Sequence, residues 1–492
     1  MKVAIAASEV APFAKTGGLA DVVGALPKFL KELGCDVKVF VPRYNSIDDT
    51  RYDLHYEHTI GEMLIRVAAV PRPVHVLRSD LPGSSVQVYF IDCPHYFHRG
   101  RLYTSDSDED ERFILFSKAV LETLQRLQWA PDVIHCNDWQ TALIPILLKD
   151  NYSWDALFHR TATVLSIHNI AYQGTFPPST VAKAELRPEL FYSGGPLEMH
   201  GFLNFLKPGI LHAEMISTVS ETYSYEILSP LFGEGLDGVL RMRQHDLQGI
   251  LNGIDTEEWN PSTDHHLPFH YSSKDMKGKL QNKKFLLDNT SIDFHEDLPV
   301  IGIVSRFAGQ KGFDLFADVA IELMQMNAQW VILGSGEDRF EGLFRSLSSA
   351  MGHKVWAYVG FNNELAHLIE AGADMFLMPS HYEPCGLNQM YSLRYGTVPI
   401  VRNTGGLADT VHDWHEFTYR GLDTGNGFSF NDATGYALQT SVERAIGIFS
   451  NDKNTWLKIQ RNGMQSDFSW KASAVKYLRL YERAITKRRS AA

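Results

Sequence analysis

The sequence predicts an α/β fold built from two similar halves, and two observations lead to this prediction. Short apolar runs recur along the chain, and each is followed by a glycine-containing turn and a segment with helical spacing. Strand, turn and helix repeated in this order indicate parallel sheets with crossover helices. Residues 16–23 (TGGLADVV) agree at seven of eight positions with residues 404–411 (TGGLADTV), which suggests that the halves are related.

The individual elements follow from local patterns. Residues 3–7 predict a buried strand, and residues 19–33 predict a helix that Gly34 ends in the manner of a C-terminal cap. Residues 52–92 alternate Tyr, Val and turn residues without helical spacing, so antiparallel strands are an alternative in that stretch. A helix is expected over residues 313–324 and another from residue 468 onward. Further strands are predicted at residues 37–41, 133–136, 163–167, 215–219, 300–304, 330–333, 355–359, 375–378 and 398–401.

The repeated segment places a pair of glycines between a predicted strand and a predicted helix in each half. Glycines at such a turn let backbone N–H groups and a helix N-terminus approach an anion or a polar ligand. The alternative is a tight turn with no ligand, and for one copy the two interpretations are about equal. Two copies favour ligand binding.

Composition and charge exclude several classes of protein. The 492 residues, 44% hydrophobic and 21% charged, are typical of a folded protein of two large or about three average domains. A net charge of −12 argues against nucleic acid as a partner. The four cysteines form neither a disulfide framework nor a C-x-x-C pair, and no apolar run approaches the roughly 18 residues that span a bilayer. The acidic residues 106–111 predict a solvated loop and helix start rather than a metal site.

Two loops of the second half carry residues suited to phosphate and sugar chemistry. After the strand at residues 300–304, Arg306 and Lys311 bring two cations to one loop, where they can neutralise a diphosphate leaving group. Glu383 lies in the turn after the strand at residues 375–378, where a carboxylate can bind hydroxyls or balance positive charge. Cys385 is interpreted as a small packing residue. Solvated cations in a surface loop are the alternative for Arg306 and Lys311.

In the first half, two polar segments follow predicted strands. Asp138 lies in the sequence HCNDW and His168 in the sequence SIHN, and the carboxyl ends of parallel strands meet at one edge of a sheet. His168 can donate to a ligand, and Asp138 can bind hydroxyls. A histidine of this kind is more often a core residue whose hydrogen bonds are satisfied within the protein.

Taken together, these motifs resemble the bacterial glycogen synthase and plant starch synthase family. The resemblance follows the chain in order through KTGGL (15–19), NDW (137–139), SIHN (166–169), LNGID (251–255), Arg306 with Lys311, EPCG (383–386) and TGGL (404–407). It implies an α/β fold of two Rossmann-like domains whose parallel sheets face each other across a deep cleft, the arrangement called GT-B. It also implies transfer of glucose from ADP-glucose to the non-reducing end of an α-1,4-glucan such as glycogen, with retention of configuration and without metal or cofactor.

The resemblance also implies roles for individual residues and domains. Arg306 and Lys311 would bind the diphosphate, and Glu383 would face the glucose with Gly386 in the same motif. Asp138 would lie near the reacting centre and acceptor. The expected donor contacts are Lys15 with Gly17 and Gly18, His168, Asn252, Phe361 beside the adenine, and Thr404, Gly405 and Gly406 at the distal phosphate. The expected domains are residues 1–250 on the acceptor side, 251–465 for the nucleotide sugar, and 466–492 as a C-terminal helix crossing back to the first domain.

One departure from the wider GT-B group affects the nucleoside. Many retaining members carry a second glutamate eight residues after the first, whereas position 391 here is Tyr391, so a carboxylate cannot hold the ribose. A UDP-sugar transferase therefore stays open as an alternative, followed by a sugar-nucleotide epimerase and a glucan-binding protein without activity. For Phe361 a place in the core is the alternative. Because the chain begins almost directly at its first strand, a cytoplasmic location is expected, with a trimmed plastid enzyme as the alternative.

Overall fold

The chain divides into two compact units in a computed structural model that describes residues 1–490. Unit 1 comprises Met1–Gly253 together with the chain from Trp470 onward, and unit 2 comprises Ile254–Ser469. The sequence-based divisions were placed a few residues earlier, after residues 250 and 465. Each unit contains its own sheet with helices packed against it, and the sheet is mixed in unit 1 and all-parallel in unit 2.

Unit 1 is built on a mixed sheet in which the parallel strands form one continuous run. The strands of this unit are β1 (Lys2–Ala6), β2 (Asp36–Pro42), β3 (His55–Tyr56), β4 (Met63–Val67), β5 (Val70–Asp80), β6 (Gln87–Asp92), β7 (Val133–Asn137), β8 (Ala162–Ile167), β9 (Thr175–Phe176), β10 (Glu198–Met199), β11 (Phe202–Asn204), β12 (Met215–Thr218) and β13 (Leu247–Gly249). The sheet order is β13-β12-β8-β7-β1-β2-β6-β5-β3, with β4 beside β5, while β10-β11-β9 form a small separate sheet. Strands β3, β4 and β5 are antiparallel to their partners, as the pattern of residues 52–92 indicated.

Short connections and helices join these strands. The helices are α1 (Gly18–Glu32), α2 (Pro94–Phe97), α3 (Glu109–Arg126), α4 (Ile144–Lys149), α5 (Thr180–Lys183), α6 (Leu206–His212), α7 (Glu221–Glu226) and α8 (Asp237–Met242), with 3₁₀ turns at Ala156–Phe158, Pro188–Leu190 and Gln244–Asp246. Helix α1 begins at the second glycine of the first repeated segment and buries Leu19, Val22 and Leu26. Just beyond its end, Gly34 has a φ of +86°, a conformation that glycine adopts without strain.

The acidic segment before α3 is less solvated than the sequence suggested. Asp110 is 2% exposed and accepts hydrogen bonds from Thr180 and Lys183. Glu109 is also buried and forms an ion pair of 2.7 Å with Arg112. The expectation of a solvated helix start was therefore wrong for these two residues, because cations from the same helix and from α5 compensate their charge.

Unit 2 contains an all-parallel sheet buried on both faces. Its strands are β14 (Val300–Phe307), β15 (Gln329–Gly336), β16 (Val355–Val359), β17 (Met375–Met378), β18 (Val398–Arg402) and β19 (Phe428–Phe430), in the order β16-β15-β14-β17-β18-β19. Its helices are α9 (Lys277–Asp288), α10 (Phe313–Asp318), α11 (Ala320–Gln325), α12 (Asp338–Ala350), α13 (Asn363–Gly372), α14 (Asn388–Tyr395), α15 (Gly405–Thr410), α16 (Trp414–Tyr419), α17 (Gly435–Asn451) and α18 (Lys453–Met464). Ile301 and Trp330 join one core cluster, and their neighbours Val300 and Val331 join the other, because successive side chains of a strand point to opposite faces.

The helix predicted over residues 313–324 is interrupted. Val319 leaves the helical conformation, with φ −126° and ψ 21°, and separates α10 from α11. The start of α17 packs at this break: a Cβ on Gly435 would lie 2.8 Å from Cγ1 of Val319. The interruption thus coincides with a tertiary contact that the apolar spacing of the segment does not reveal.

The last helix, α19 (Trp470–Ser490), belongs to unit 1. It packs against α1 and the strands β7, β8 and β12, and the Tyr481 hydroxyl lies 2.9 Å from Nδ1 of the buried His135. None of the helices between residues 1 and 490 has the length and hydrophobicity that a transmembrane span requires.

Candidate active site

In unit 2, the loop that follows β14 is held tightly against the loop that follows β17. Gly312 has a φ of +72°, and a Cβ at this position would lie 1.9 Å from the carbonyl oxygen of Pro379. Only glycine permits this approach. The backbone N–H of His381 donates to the carbonyl of Gln310 at 2.9 Å, and the His381 imidazole lies 2.8 Å from the Asp314 carboxylate. These contacts hold the two loops against each other.

The two loops bring a predicted cation and the predicted carboxylate into direct contact. Nζ of Lys311 lies 2.6 Å from Oε2 of Glu383, and the Ser380 hydroxyl donates to the same oxygen at 3.0 Å. The side chains of Lys311 and Glu383 are 18% and 8% exposed. Removal of either partner from an ion pair this well shielded from water leaves an uncompensated charge.

A cavity of about 160 Å³ lies beside this ion pair. Arg306, Lys311, Glu383 and Gly386 are among the residues that line it. The Arg306 side chain is exposed, and no ion pair joins it to an acidic side chain among residues 1–490. Four residues chosen from the sequence therefore converge on one cavity, with a positive excess suited to an anionic ligand.

The second glycine segment packs on the Glu383 loop from the other side. Gly405 has a φ of +46°, and its Cβ would lie 1.9 Å from the carbonyl oxygen of Glu383. The Gly406 N–H donates to the same carbonyl at 3.0 Å, and a Cβ on Gly406 would lie 1.9 Å from the carbonyl oxygen of Cys385. The buried Thr404 precedes them. Both glycines are thus required by packing.

Phe361 lies apart from this cavity. It follows β16, two strands from β14, and its side chain is 88% exposed. The alternative that placed Phe361 in the core is therefore wrong. Tyr391, by contrast, stacks on Trp259 with ring centroids 3.8 Å apart.

In unit 1, the residues after β7 and β8 form a second polar cluster. Asp138 has a φ of +56°, and its carboxylate accepts the backbone N–H of His168 at 2.7 Å. Nε2 of His168 lies 2.9 Å from Oδ1 of Asn137. Since β7 and β8 are parallel neighbours, their carboxyl ends place these side chains together, as the sequence analysis expected.

Burial sets the charges of this cluster. It raises the pKa of Asp138 to about 7 and lowers the pKa of His168 to about 4. At neutral pH the imidazole of His168 is therefore uncharged, and the carboxyl group of Asp138 is protonated in part of the molecules. Groups in these states are suited to hydrogen bonds with sugar hydroxyls, because an uncharged imidazole both donates and accepts.

The first glycine segment differs from the second in its surroundings. A Cβ on Gly17 or Gly18 would meet no atom within 4 Å, so packing does not require glycine there. Lys15 is half-exposed and pairs with Asp21 at 2.6 Å. The open surroundings of these glycines favour the ligand-binding interpretation for this copy.

Asn252 is separate from both clusters. It is buried, and its Oδ1 has no hydrogen-bond partner among the residues that the structure describes. It follows β13, which is separated from β8 by β12. An unsatisfied buried amide oxygen of this kind is costly unless a ligand or water donates to it.

The sequence analysis did not single out Glu9, although this residue organises the Lys15–Gly18 loop. Its carboxylate accepts hydrogen bonds from Thr16, Gly17 and Tyr103. A charged residue three positions after the end of the buried strand β1 was the signal that could have identified it.

Comparison with known proteins identifies the class to which the chain belongs. Residues 2–242 match the family described as starch synthase catalytic domain, and residues 288–444 match glycosyl transferases group 1. The catalytic domain of starch synthase IV from Arabidopsis thaliana, solved with ADP and acarbose, superimposes with a TM-score of 0.90 at 33% identity over 99% of each chain. Sucrose-phosphate synthase from Thermosynechococcus elongatus shares the fold alone, with a TM-score of 0.60 at 16% identity over 98% of each chain. The chain is therefore a glycosyltransferase with the GT-B fold of two Rossmann-like domains.

Curated relatives define the family more closely. Glycogen synthase of Desulforudis audaxviator is 44% identical over 99% of this chain and 97% of its own length. Glycogen synthase of Moorella thermoacetica is 43% identical over 100% of this chain and 98% of its own length. The chain belongs to the glycogen synthase and starch synthase family of retaining glycosyltransferases.

Proposed function

We propose that the chain transfers glucose from ADP-glucose to the non-reducing end of an α-1,4-glucan such as glycogen. The observation that carries this proposal is the cavity of unit 2, where Arg306 and the Lys311–Glu383 ion pair come together. We propose that unit 2 binds the nucleotide and diphosphate of the donor and that unit 1 binds the acceptor.

Arg306 and Lys311 are proposed to stabilise the departing diphosphate. Negative charge grows on the leaving phosphate as the glycosidic bond breaks, so fixed cations at that place lower the barrier. The planar guanidinium of Arg306 can hold two oxygens, whereas the Lys311 ammonium acts as a compact charge. Because one Lys311 proton already faces Glu383, its remaining N–H groups are those available to phosphate.

The segment Thr404–Gly406 is proposed to lie against the distal phosphate. The Gly406 N–H already donates to the Glu383 carbonyl, so it is not available to bind the phosphate. The packing of both glycines on the Glu383 loop instead supports a positioning contribution: it ties the segment to the cavity that holds the cations.

Glu383 and Gly386 are proposed to face the glucose. The structure supports an electrostatic or hydroxyl-binding role for Glu383 rather than nucleophilic attack, because its Oε2 is held by both Lys311 and Ser380. Retention then proceeds by front-face substitution, in which the departing phosphate accepts the proton of the incoming hydroxyl. A glucosyl ester trapped on Glu383 or Asp138 would contradict this route.

The residues of unit 1 are proposed to contact the sugar and the acceptor. His168 and Asn252 would hold hydroxyls of the glucose, and the unpartnered Oδ1 of buried Asn252 supports this role. Asp138 would lie near the reacting centre, while Lys15 would reach the donor with Gly17 and Gly18.

Phe361 is proposed to stack on the adenine. An aromatic side chain that is 88% exposed contributes little to the core, and stacking on a base gives it a function. Stacking does not by itself distinguish adenine from uracil, so the choice of ADP over UDP rests on the family resemblance. Many related enzymes bind the ribose with a glutamate at the position of Tyr391. Here Tyr391 stacks on Trp259, so no carboxylate at position 391 can bind the ribose.

The decisive experiment supplies glycogen and glucose-labelled ADP-glucose or UDP-glucose to the purified protein. We expect label from ADP-glucose to enter the polymer. An enzyme that cleaves α-1,4 linkages should then release this label. Transfer from UDP-glucose alone would favour the alternative donor, and a new sugar nucleotide formed without glycogen would indicate an epimerase. An Arg306→Met variant tests the cation beside the cavity and should lower transfer, whereas Arg345→Met, which changes an exposed cation of α12, serves as its control.

We also propose a cytoplasmic location, since the substrates of this reaction are nucleotide sugars and stored glucan. Fractionation of the source cells, followed by detection of the protein with the cytosolic marker enzymes, tests this proposal.

A further inference from the structure

A buried carboxylate lies beneath the first glycine segment. Glu9 follows β1 and is 4% exposed. Its Oε2 accepts the backbone N–H groups of Thr16 at 2.5 Å and Gly17 at 3.2 Å. Its Oε1 accepts the hydroxyls of Thr16 at 2.7 Å and Tyr103 at 2.6 Å. Four donors thus converge on one side chain, which leaves little freedom to the loop that supplies three of them.

The loop of residues 15–18 carries residues that are proposed to contact the donor. Lys15 precedes the two donors Thr16 and Gly17, and Gly18 begins α1. No other side chain hydrogen-bonds the backbone of residues 15–18 in the part of the chain that the structure describes. Glu9 is consequently the side chain that holds the backbone of this loop.

We propose that Glu9 is a positioning residue of the transfer reaction. By holding Thr16 and Gly17, it fixes the direction in which the Lys15 side chain leaves the loop and keeps the open face of Gly17 and Gly18 toward the donor. This inference rests on the proposed function, because the roles of Lys15 and the glycines belong to it.

Tyr103, one of the donors to Glu9, also contacts the residue before it. The Tyr103 hydroxyl also lies 2.8 Å from Oγ of Ser8, the residue before Glu9. After burial, which is the larger cause, the charge of Glu9 contributes to the raised pKa of Asp138.

A glutamine at position 9 can distinguish the effect of the hydrogen bonds from the effect of the negative charge. In Glu9→Gln, the carbonyl oxygen can keep both backbone N–H donors. The amide NH₂ can then donate to the hydroxyls of Thr16 and Tyr103, because a hydroxyl accepts as readily as it donates. Glutamine therefore preserves the loop contacts while it removes the charge, whereas alanine removes both.

The experiment compares Glu9→Ala, Glu9→Gln and the control Asp48→Ala with wild type. Asp48 is an exposed residue of the same unit whose carboxylate also holds two backbone N–H groups, those of Thr50 and Arg51, at 3.0 Å. Initial rates are measured against ADP-glucose and, separately, against glycogen, and the thermal unfolding midpoint of each variant is recorded.

We expect kcat/KM for ADP-glucose to fall about 100-fold in Glu9→Ala, with KM for glycogen within about twofold of wild type. Glu9→Gln should recover to within about tenfold of wild type, and Asp48→Ala should stay near it. A rate for Glu9→Ala within about threefold of wild type, or equal losses toward donor and acceptor, would overturn the positioning role.

If Glu9→Ala does not fold, Glu9→Gln and Tyr103→Phe carry the test. Each should show a loss confined to the donor, and a loss shared equally by both substrates would overturn the proposal. Failure of the proposed function is seen separately, since wild type would then transfer no glucose from ADP-glucose. If wild type uses UDP-glucose instead, the same ratios are measured with that donor.

Discussion

Replacement of Lys311 by methionine tests the centre of the proposed site, because it removes the charge and keeps most of the volume. At 2.6 Å from Glu383, the Coulomb attraction is about 6 kcal/mol for an effective dielectric constant of 20. Desolvation offsets part of it, and loss of one partner from a buried pair costs about 3–5 kcal/mol. Since the Lys311 side chain is 18% exposed, we expect Lys311→Met to lower the free energy of unfolding by about 3 kcal/mol, the lower end of this range.

This cost has a measurable thermal equivalent. In a unit of this size, 1 kcal/mol shifts the unfolding midpoint by about 2–4 °C, so Lys311→Met should lower the midpoint of unit 2 by about 6–12 °C. The double variant Lys311→Met/Glu383→Gln should recover most of that loss, because no buried charge is then left alone. Lys458→Met, which breaks an exposed ion pair with Asp423, should cost less than about 1 kcal/mol.

Activity should respond differently from stability. Both the single and the double variant should lose about 100-fold to 1000-fold in kcat, because both remove the Lys311 cation and leave only Arg306 to stabilise the leaving diphosphate. Calorimetry and a radiolabelled transfer assay measure the two properties on the same samples. The reasoning is refuted if Lys311→Met keeps wild-type turnover, or if the double variant is less stable than the single one.

Three further predictions concern the remaining parts of the site. The raised pKa of Asp138 means that the native state retains a proton between pH 3.8 and about 7 that the unfolded chain releases, so stability falls as pH rises through this window. Asp138→Asn should therefore stabilise the protein by at least about 1 kcal/mol more at pH 8 than at pH 5 in urea unfolding, and equal effects would contradict the shift. Gly406→Ala should destabilise by about 2 kcal/mol or more, whereas Gly18→Ala should leave thermal stability near wild type and lower transfer; comparable losses of stability would refute the contrast. Phe361→Ala should leave the unfolding midpoint unchanged and weaken ADP binding by about 1–3 kcal/mol in calorimetry, and unchanged binding would remove Phe361 from the nucleotide site.

Much of the fold could be read from local patterns. The buried strands of unit 2 appear as continuous apolar runs because both faces of the sheet are covered. Residues 52–92 lack helical spacing, and antiparallel strands occupy that stretch. The interruption at Val319 could not be read in this way, because it coincides with the packing of Gly435 from a helix more than a hundred residues away.

The candidate site was predictable in its residue types but not in its contacts. Arg306, Lys311 and Glu383 were each expected in a loop after a strand. Arg306 instead lies within the end of β14 (Val300–Phe307), and all three side chains line one cavity. The Lys311–Glu383 ion pair itself joins residues 72 positions apart. Glu9 was missed because its importance comes from Tyr103 and from the loop above it, and a single acidic residue after a strand is an ordinary feature.

The repeated glycine segment shows most clearly what each level determines. The sequence alone determined that two strand-to-helix turns share the residues TGGLAD and that the chain carries the motifs of one family. Only the tertiary structure decided that Gly405 and Gly406 are held by close packing while Gly17 and Gly18 remain open. The physical reason is that strand order brings β17 beside β14 and β18 beside β17, and this order, rather than the local sequence, determines which loops become neighbours.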